Sequence, residues 1–183
     1  MNREEALAIV REFVKNENLV RHMLAVESAM KFYAEKFGED TEKWRATALL
    51  HDYDWEIHPT LEEHPQAGID LLRERGVSEE ILRAILSHAD HTGISRDSQM
   101  EKALLACDEI TGLIVAVALV RPSRSLADLK VKSVKKKWKD KAFAAGVNRE
   151  EVAQAVDDFE IELWEHVGNV IQAMQTIAPE LGL

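Results

Sequence analysis

Hydrophobic residues recur along this chain at the three- and four-residue spacing of an amphipathic helix. A first series contains Leu7, Val10 and Val14, and a longer second series contains Leu19, Met23, Val26, Met30, Tyr33 and Phe37. The two-residue alternation that is typical of a half-buried strand is absent. The pattern therefore predicts an all-α protein, a helical bundle of about seven to nine helices.

Glycine, proline and capping residues divide the pattern into separate helices. The second helix is expected to end at Gly38. The later helices are expected from Asp40 or Thr41 to about His51, from about His64 to Gly76, from Ser78 to about His88, from Gln99 to Leu119, from about Leu129 to Lys141, and, as one or two helices, after Asn148.

The length of 183 residues predicts one domain, residues 1–183. Its core is expected at about 19–120, with a Lys-rich segment at 121–141 and C-terminal helices at 148–178 packed onto it. Cys107 is the only cysteine, so no intramolecular disulfide can form. The acidic start lacks an export signal, and no apolar run is long enough to span a membrane. We therefore expect a cytoplasmic protein without membrane attachment.

Charge is unevenly distributed along the chain. The formal net charge is −10, yet residues 121–141 carry nine Lys or Arg against two Asp, a local charge of +7 that leaves −17 elsewhere. Such an acidic protein is unsuited to binding long nucleic acid, whereas its basic segment would attract a small polyanion. The charge pattern therefore predicts a small polyanion, such as a nucleotide, as the partner.

Several histidines and aspartates are candidate metal ligands. Any single helical histidine is more often a hydrogen-bonded structural residue, and a buried Asp108 in its apolar helix could be neutralised by an ion pair from a neighbouring helix. The combination is more informative, because imidazoles and carboxylates from several helices can meet inside one bundle. The candidates, spread over 87 positions, are His22, His51, Asp52, His64, His88 and Asp108.

In this order, the six residues resemble the HD-domain superfamily of metal-dependent phosphohydrolases. Local matches support the resemblance, and together they cover most of the chain: His22-Met-Leu-Ala-Val-Glu, Ala48-Leu-Leu-His-Asp, His64-Pro-Gln-Ala-Gly, Ala84-Ile-Leu-Ser-His and Ala106-Cys-Asp-Glu-Ile-Thr-Gly-Leu-Ile. The stretch from His51 to His64-Pro-x-x-Gly is also similar to bacterial hydrolases of diadenosine tetraphosphate. The fold that the resemblance implies is a single HD-domain bundle.

The resemblance implies two metal ions bridged by Asp52. One would be held by His22, His51, Asp52 and Asp108, and the other by His64 and His88 together with Asp52. Nitrogen and oxygen ligands without thiolates suit divalent iron, manganese, cobalt or zinc. Two such ions would polarise a phosphoryl group and generate hydroxide from water near neutral pH.

The chain departs from a common family variant in which a glycine and a phosphate-binding lysine follow the His-Asp pair. Tyr53-Asp54-Trp55-Glu56 stands there instead. Asp52 and Asp54 are the candidate catalytic residues. Asp54 or Glu56 would act as general acid, water positioner or partner of a ligand histidine, unless they are solvated loop acids. Trp55 would stack on a base or cover the core.

The missing lysine shifts attention to other residues for phosphate binding. His91 lies near His88, and the basic segment follows the helix that carries Asp108. Guanidinium and ammonium groups suit phosphate oxygens. The candidate substrate-binding residues are His91, Arg121, Arg124 and Lys135, although the lysines would equally suit a solvated helix face. His166 is interpreted as structural.

The favoured function is hydrolysis of a small phosphorylated metabolite, a nucleotide or dinucleotide, at a dinuclear metal centre through metal-bound hydroxide. The ligand pattern also allows an HD-fold mixed-valent di-iron oxygenase, and a third alternative is a non-catalytic nucleotide-binding domain. The apolar face of the C-terminal helices would either form a homodimer or pack on the chain's own core.

Overall fold

The computed structural model describes residues 1–183 as ten α-helices without a strand. Their bounds are α1 Arg3–Phe13, α2 Glu17–Phe37, α3 Thr41–Leu50, α4 Ile69–Glu74, α5 Glu79–Ser87, α6 Gln99–Leu119, α7 Val131–Trp138, α8 Arg149–Asp158, α9 Leu163–Gln175 and α10 Ala178–Leu181. All except α4 and α10 have eight residues or more. The predicted all-α fold is confirmed.

Most helix ends lie where the capping residues predict them. Gly38 adopts the left-handed conformation, with φ of 72°, at the end of α2, and the side chain of Asp40 accepts a hydrogen bond from the Lys43 amide at the start of α3. Two helices are shorter than predicted. Residues 66–68 form a 3-10 turn before α4, and α7 has no side-chain cap at extended Lys130.

The two 21-residue helices, α2 and α6, form the centre of the fold. Helix α2 packs against α3, α6 and α9, while α6 also contacts α5, α7 and α8. One continuous hydrophobic core extends from Ala6 in α1 to Leu181 in α10. Because α2 and α6 lie side by side, polar residues on their facing sides can meet inside the bundle.

The C-terminal helices complete this core. Six residues of their predicted apolar face are buried within the single chain, namely Val156, Phe159, Val167, Val170, Ile171 and Met174. None of the ten helices combines the length and the hydrophobicity that a transmembrane span requires.

His166 joins α9 to the centre of the bundle. Its Nε2 lies 2.8 Å from the Ala106 carbonyl, which can only accept, so Nε2 carries the proton. Its Nδ1 therefore accepts from the Tyr33 hydroxyl at 2.6 Å. Burial lowers the pKa of His166 from 6.5 to about 4. The residue is a neutral structural link, in line with its interpretation from sequence.

The lowered pKa of His166 predicts acid-sensitive stability. Between pH 6.5 and 4 the unfolded chain binds the proton and the folded chain does not, so stability is lost as pH falls through this window. The loss is about 3 kcal/mol at pH 4. In urea unfolding of metal-free protein, His166→Gln should flatten this part of the pH profile. Parallel profiles for the variant and the wild type would contradict the assignment.

Candidate metal centre

The six candidate ligands come from four helices and the loop after α3. His22 lies in α2, His51 is the C-cap of α3 and Asp52 follows it directly. The others are His64 further along the same loop, His88 at the C-cap of α5 and Asp108 in the middle of α6. The fold brings together residues that are far apart in sequence.

Three of these residues form a first cluster. His22 Nε2 lies 3.0 Å from Asp108 Oδ1 and 3.3 Å from His51 Nε2. His51 Nε2 lies 3.5 Å from the same Asp108 oxygen. Three donor atoms therefore surround one point between α2, α3 and α6.

Two histidines form a second cluster with Asp52. His64 Nε2 and His88 Nε2 are 3.2 Å apart, and they lie 3.3 and 3.6 Å from Asp52 Oδ1. The other oxygen, Asp52 Oδ2, lies 3.5 and 3.4 Å from the Nε2 atoms of His22 and His51. Each carboxylate oxygen of Asp52 thus faces a different cluster.

These separations fit metal coordination. Ligands at about 2.1 Å from a metal ion, arranged octahedrally or tetrahedrally, lie about 3.0 to 3.4 Å from one another. The atoms of both clusters are spaced close to this range. Each cluster could hold one ion, with the carboxylate of Asp52 between the two.

Hydrogen bonds on the far side of the rings orient the nitrogens toward these positions. The Nδ1 atoms of His51 and His88 donate to the carbonyls of Ala48 and Ile85, three residues earlier, at the ends of α3 and α5. Each Nε2 is then left with a lone pair. The Nε2 atoms of His51 and His22 lie 3.3 Å apart and those of His64 and His88 lie 3.2 Å apart, an arrangement that a shared cation or proton stabilises.

Electrostatics indicate the same need for positive charge. Burial by itself would lower the pKa of His51, but Asp52 and Asp108 outweigh it and raise the pKa to about 9. Burial would raise the pKa of Asp108, yet the charge of His51 and a hydrogen bond from His22 hold it well below its usual value. Without metal the cluster collects protons, which a bound cation would replace.

The two clusters open into a cleft of about 710 Å³. Five of the six candidate ligand residues line it, all except the fully buried His51. Helix α8 forms the opposite wall. The volume falls within the range of small-molecule sites, about 300 to 1,000 Å³.

The sequence profile of the HD domain matches residues 19–118, which is more than half of the chain. The chain belongs to the HD-domain family. This finding confirms the resemblance noted from the sequence, and the matched range contains all six ligand candidates. Helix α1 and helices α7 to α10 lie outside the matched range.

Relatives of the HD-domain protein include two kinds of named enzyme. Ribonuclease Y of Oleidesulfovibrio alaskensis is 28% identical over 98 residues, covering 53% of this chain and 18% of that protein. Ribonuclease Y of Thermotoga petrophila is 28% identical over 145 residues, covering 73% of this chain and 27% of that protein. The symmetrical bis(5'-nucleosyl)-tetraphosphatase of Bacillus subtilis is 29% identical over 132 residues, covering 60% of this chain and 69% of that enzyme.

The chain thus spans less than a third of the ribonuclease Y proteins that it matches. Its match to the tetraphosphatase extends over a larger share of that enzyme. No solved structure matches the chain significantly.

Asp54 lies behind the second cluster of the HD domain. It is 1% exposed, and its Oδ1 accepts a hydrogen bond from His64 Nδ1 at 2.8 Å. Gly68 leaves room for it, because a Cβ there would lie 2.8 Å from Asp54 Oδ2 and from the Tyr53 hydroxyl oxygen. Asp54 does not line the cleft, so this candidate catalytic residue is placed to orient His64 and is not a solvated loop acid.

We predict that Asp54→Asn weakens the second cluster selectively. The amide can still accept from His64 but lacks the charge that makes the imidazole a strong donor to metal. Partners of this kind change metal affinity by about 10- to 100-fold. Metal titration should show one weakened and one unchanged binding step. The exposed control Asp70→Asn should leave both binding steps unchanged. An Asp54→Asn variant whose two metal affinities are both weakened equally, or both equal to those of the wild type, would contradict the assignment.

Glu56 is an exposed acid of the loop after α3 and does not line the cleft. Its carboxylate accepts hydrogen bonds from the backbone amides of Lys15 and Asn16 at 2.8 and 3.0 Å, so it ties the loop after α3 to the start of α2. Trp55 lines the cleft and contacts the edge of His64, with ring centroids 4.9 Å apart.

The substrate-binding candidates separate into two groups. His91 lines the cleft, and its Nε2 donates to the His64 carbonyl at 2.9 Å. Arg121 pairs with Asp128, Arg124 is exposed, and Lys135 lies 4.9 Å from the ring centroid of Trp164. None of these three lines the cleft. Lys135 belongs to α7, which packs on α6 and α9. Their role in phosphate binding stays a prediction that the cleft geometry does not support.

Arg96 is a cleft residue that the sequence did not single out. Its Nη1 lies 2.8 Å from both Asp90 Oδ1 and the Ser87 carbonyl oxygen, beside the second cluster. Nothing in the local sequence distinguishes it from other surface arginines, because its position depends on the packing of the loop after α5.

Proposed function

We propose that the protein is a metal-dependent phosphohydrolase that acts on a small phosphorylated metabolite of the nucleotide or dinucleotide class. The observation that carries the proposal is the position of Asp52, whose two carboxylate oxygens face two separate sets of metal-ligand atoms. The tetraphosphatase relative supports the substrate class, since its name describes cleavage of a nucleotide compound.

Each group of residues has a part in this chemistry. Asp52 would set the spacing of the two sites, and the protein hydrogen bonds to His51, His64 and His88 would hold the ligands in place before substrate binds. Divalent ions held there would polarise the phosphoryl oxygens and lower the pKa of water. Trp55 would shield the reacting phosphate from bulk water at the cleft mouth.

The decisive experiment combines metal analysis with a phosphate-release screen on the same fractions. Protein purified without chelator should contain up to two equivalents of iron, manganese, cobalt or zinc and should release phosphate or nucleotide from a panel of phosphate esters. The reaction should proceed without oxygen, since hydrolysis needs only water. Turnover that requires oxygen would favour an oxygenase, whereas metal-loaded protein that is stabilised by nucleotides without cleaving them would favour a binding domain.

A further inference from the structure

The cleft in front of the metal centre is strongly acidic. Six carboxylates and one guanidinium line it. Arg96 is the guanidinium, and the carboxylates belong to Asp52, Asp90, Asp108, Glu109, Glu151 and Asp158. The Lys-rich segment contributes no side chain to the lining, although it carries much of the positive charge of the chain.

These carboxylates differ in what compensates their charge. Asp52 and Asp108 face the ligand histidines, and Asp90 pairs with Arg96 at 2.8 Å. Glu151 and Asp158, both on α8, form no salt bridge. Asp158 accepts a hydrogen bond from the neutral Gln154 at 2.8 Å. The wall opposite the metal centre therefore carries uncompensated negative charge.

The same cleft also offers apolar surface of the size of an aromatic ring or a sugar. Trp55 and Leu61 line one side, and Leu61 is 66% exposed, while Val147 and Val152 lie on the side of α8. Apolar walls with a few polar groups are typical of sites that enclose the organic part of a small ligand. An organic group would be accommodated beyond the metals, whereas a second phosphate would meet carboxylates.

We infer that the cleft selects phosphomonoesters that carry a single phosphate group, such as a nucleoside monophosphate, over nucleoside polyphosphates and dinucleoside tetraphosphates. The inference rests on the proposed function. In the reaction, water oxygen bonds to phosphorus, the bond from phosphorus to the ester oxygen breaks, and the proton from water ends on the released alcohol. Each additional phosphate would bring negative charge toward Glu151 and Asp158 without a cation to balance it.

The test compares substrates with the same organic part. Values of kcat/KM are measured by chromatography of the products for AMP, ADP, ATP and diadenosine tetraphosphate, with metal-loaded protein. We expect kcat/KM to fall as the number of phosphates rises. In Glu151→Gln and in Asp158→Asn, the kcat/KM for ATP divided by the kcat/KM for AMP should rise about five-fold per charge removed. This is the size of a solvent-screened charge interaction.

Matched controls lie beside the test residues on the same helix. Glu150→Gln and Asp157→Asn remove the same charge from exposed positions that do not line the cleft, so the ATP to AMP ratio should not change. A second readout avoids turnover: phosphonate analogues of AMP and ATP should show the same order in calorimetric Kd values.

Three results would contradict the inference in distinguishable ways. If the kcat/KM values for ATP and diadenosine tetraphosphate equal or exceed the value for AMP, the selectivity is refuted but the hydrolase proposal stays intact. A complete lack of turnover of all four compounds by metal-loaded protein would refute both. Equal effects of the test variants and their controls would show that the wall of α8 does not set the preference.

Discussion

Asp52→Ala should remove both metal ions and abolish activity. Asp52 is the residue whose oxygens face both clusters, at 3.3 to 3.6 Å from the four histidine nitrogens. Losing it takes a ligand from each site at once. We expect metal content near zero and a fall in kcat/KM of at least about 1,000-fold, corresponding to the several kcal/mol that metal ions contribute to phosphoryl transfer.

Variants of the other ligands separate this prediction from general damage to the fold. Asp108→Asn alters the first cluster only, so about one equivalent of metal should remain, and Asp70→Ala on the exposed face of α4 should retain both. Circular dichroism establishes that each variant is helical. Full activity or two bound metals in folded Asp52→Ala would refute the bridging role.

Removal of metal should lower the melting temperature of the wild-type protein by on the order of 10 °C. An ion present at about a thousand times its Kd stabilises the folded state by about 4 kcal/mol, and about 2 to 4 °C accompany each kcal/mol in a chain of this size. The physical cause is local. Without cations, the Nε2 atoms of His51 and His22 face each other, as do those of His64 and His88. The lowered pKa of Asp108 keeps a carboxylate charge beside the first pair that no metal ion balances.

Differential scanning calorimetry with chelator, followed by excess metal, measures the shift and its reversal. Asp52→Ala should show no shift, because it has no metal to lose, whereas His166→Gln should show the full shift despite its change in a buried polar group. A wild-type melting temperature that is insensitive to chelator would show that the clusters do not bind metal in the purified protein.

Local signals in the sequence predicted much of the helix layout. The third helix begins after its Asp40 cap, the second ends at Gly38, and α6 runs from Gln99 to Leu119 as its capping and apolar pattern indicate. Prediction was poorer where no such signal exists. Helix α7 is shorter than expected, because its run of lysines gives a helical face without defining either end.

The order and chemistry of the ligand candidates were also available from sequence. Imidazoles and carboxylates within otherwise apolar helices indicate buried polar groups that need a partner, and the sequence profile places all of them in the HD domain. For Asp54 and Glu56 the sequence left several roles open, of which partner of a ligand histidine was one, and it could not choose among them. Asp54 orients His64, which is 10 positions away, and Glu56 accepts hydrogen bonds from backbone amides of the α1–α2 connection, 40 and 41 positions away. Such contacts between distant positions cannot be read from the local sequence.

The sequence by itself thus determined the fold class, most helix ends and the identity of the six candidate ligands, because caps, periodicity and residue chemistry act over a few positions. The resemblance implied a bridging position for Asp52, and the tertiary structure gives its distances to both clusters. Only the tertiary structure decided that Arg96 and an acidic wall of α8 line the cleft and that the Lys-rich segment does not. The packing of α7 on α9 and of α8 on α6 sets those positions, and packing between distant segments leaves no local signature in the chain.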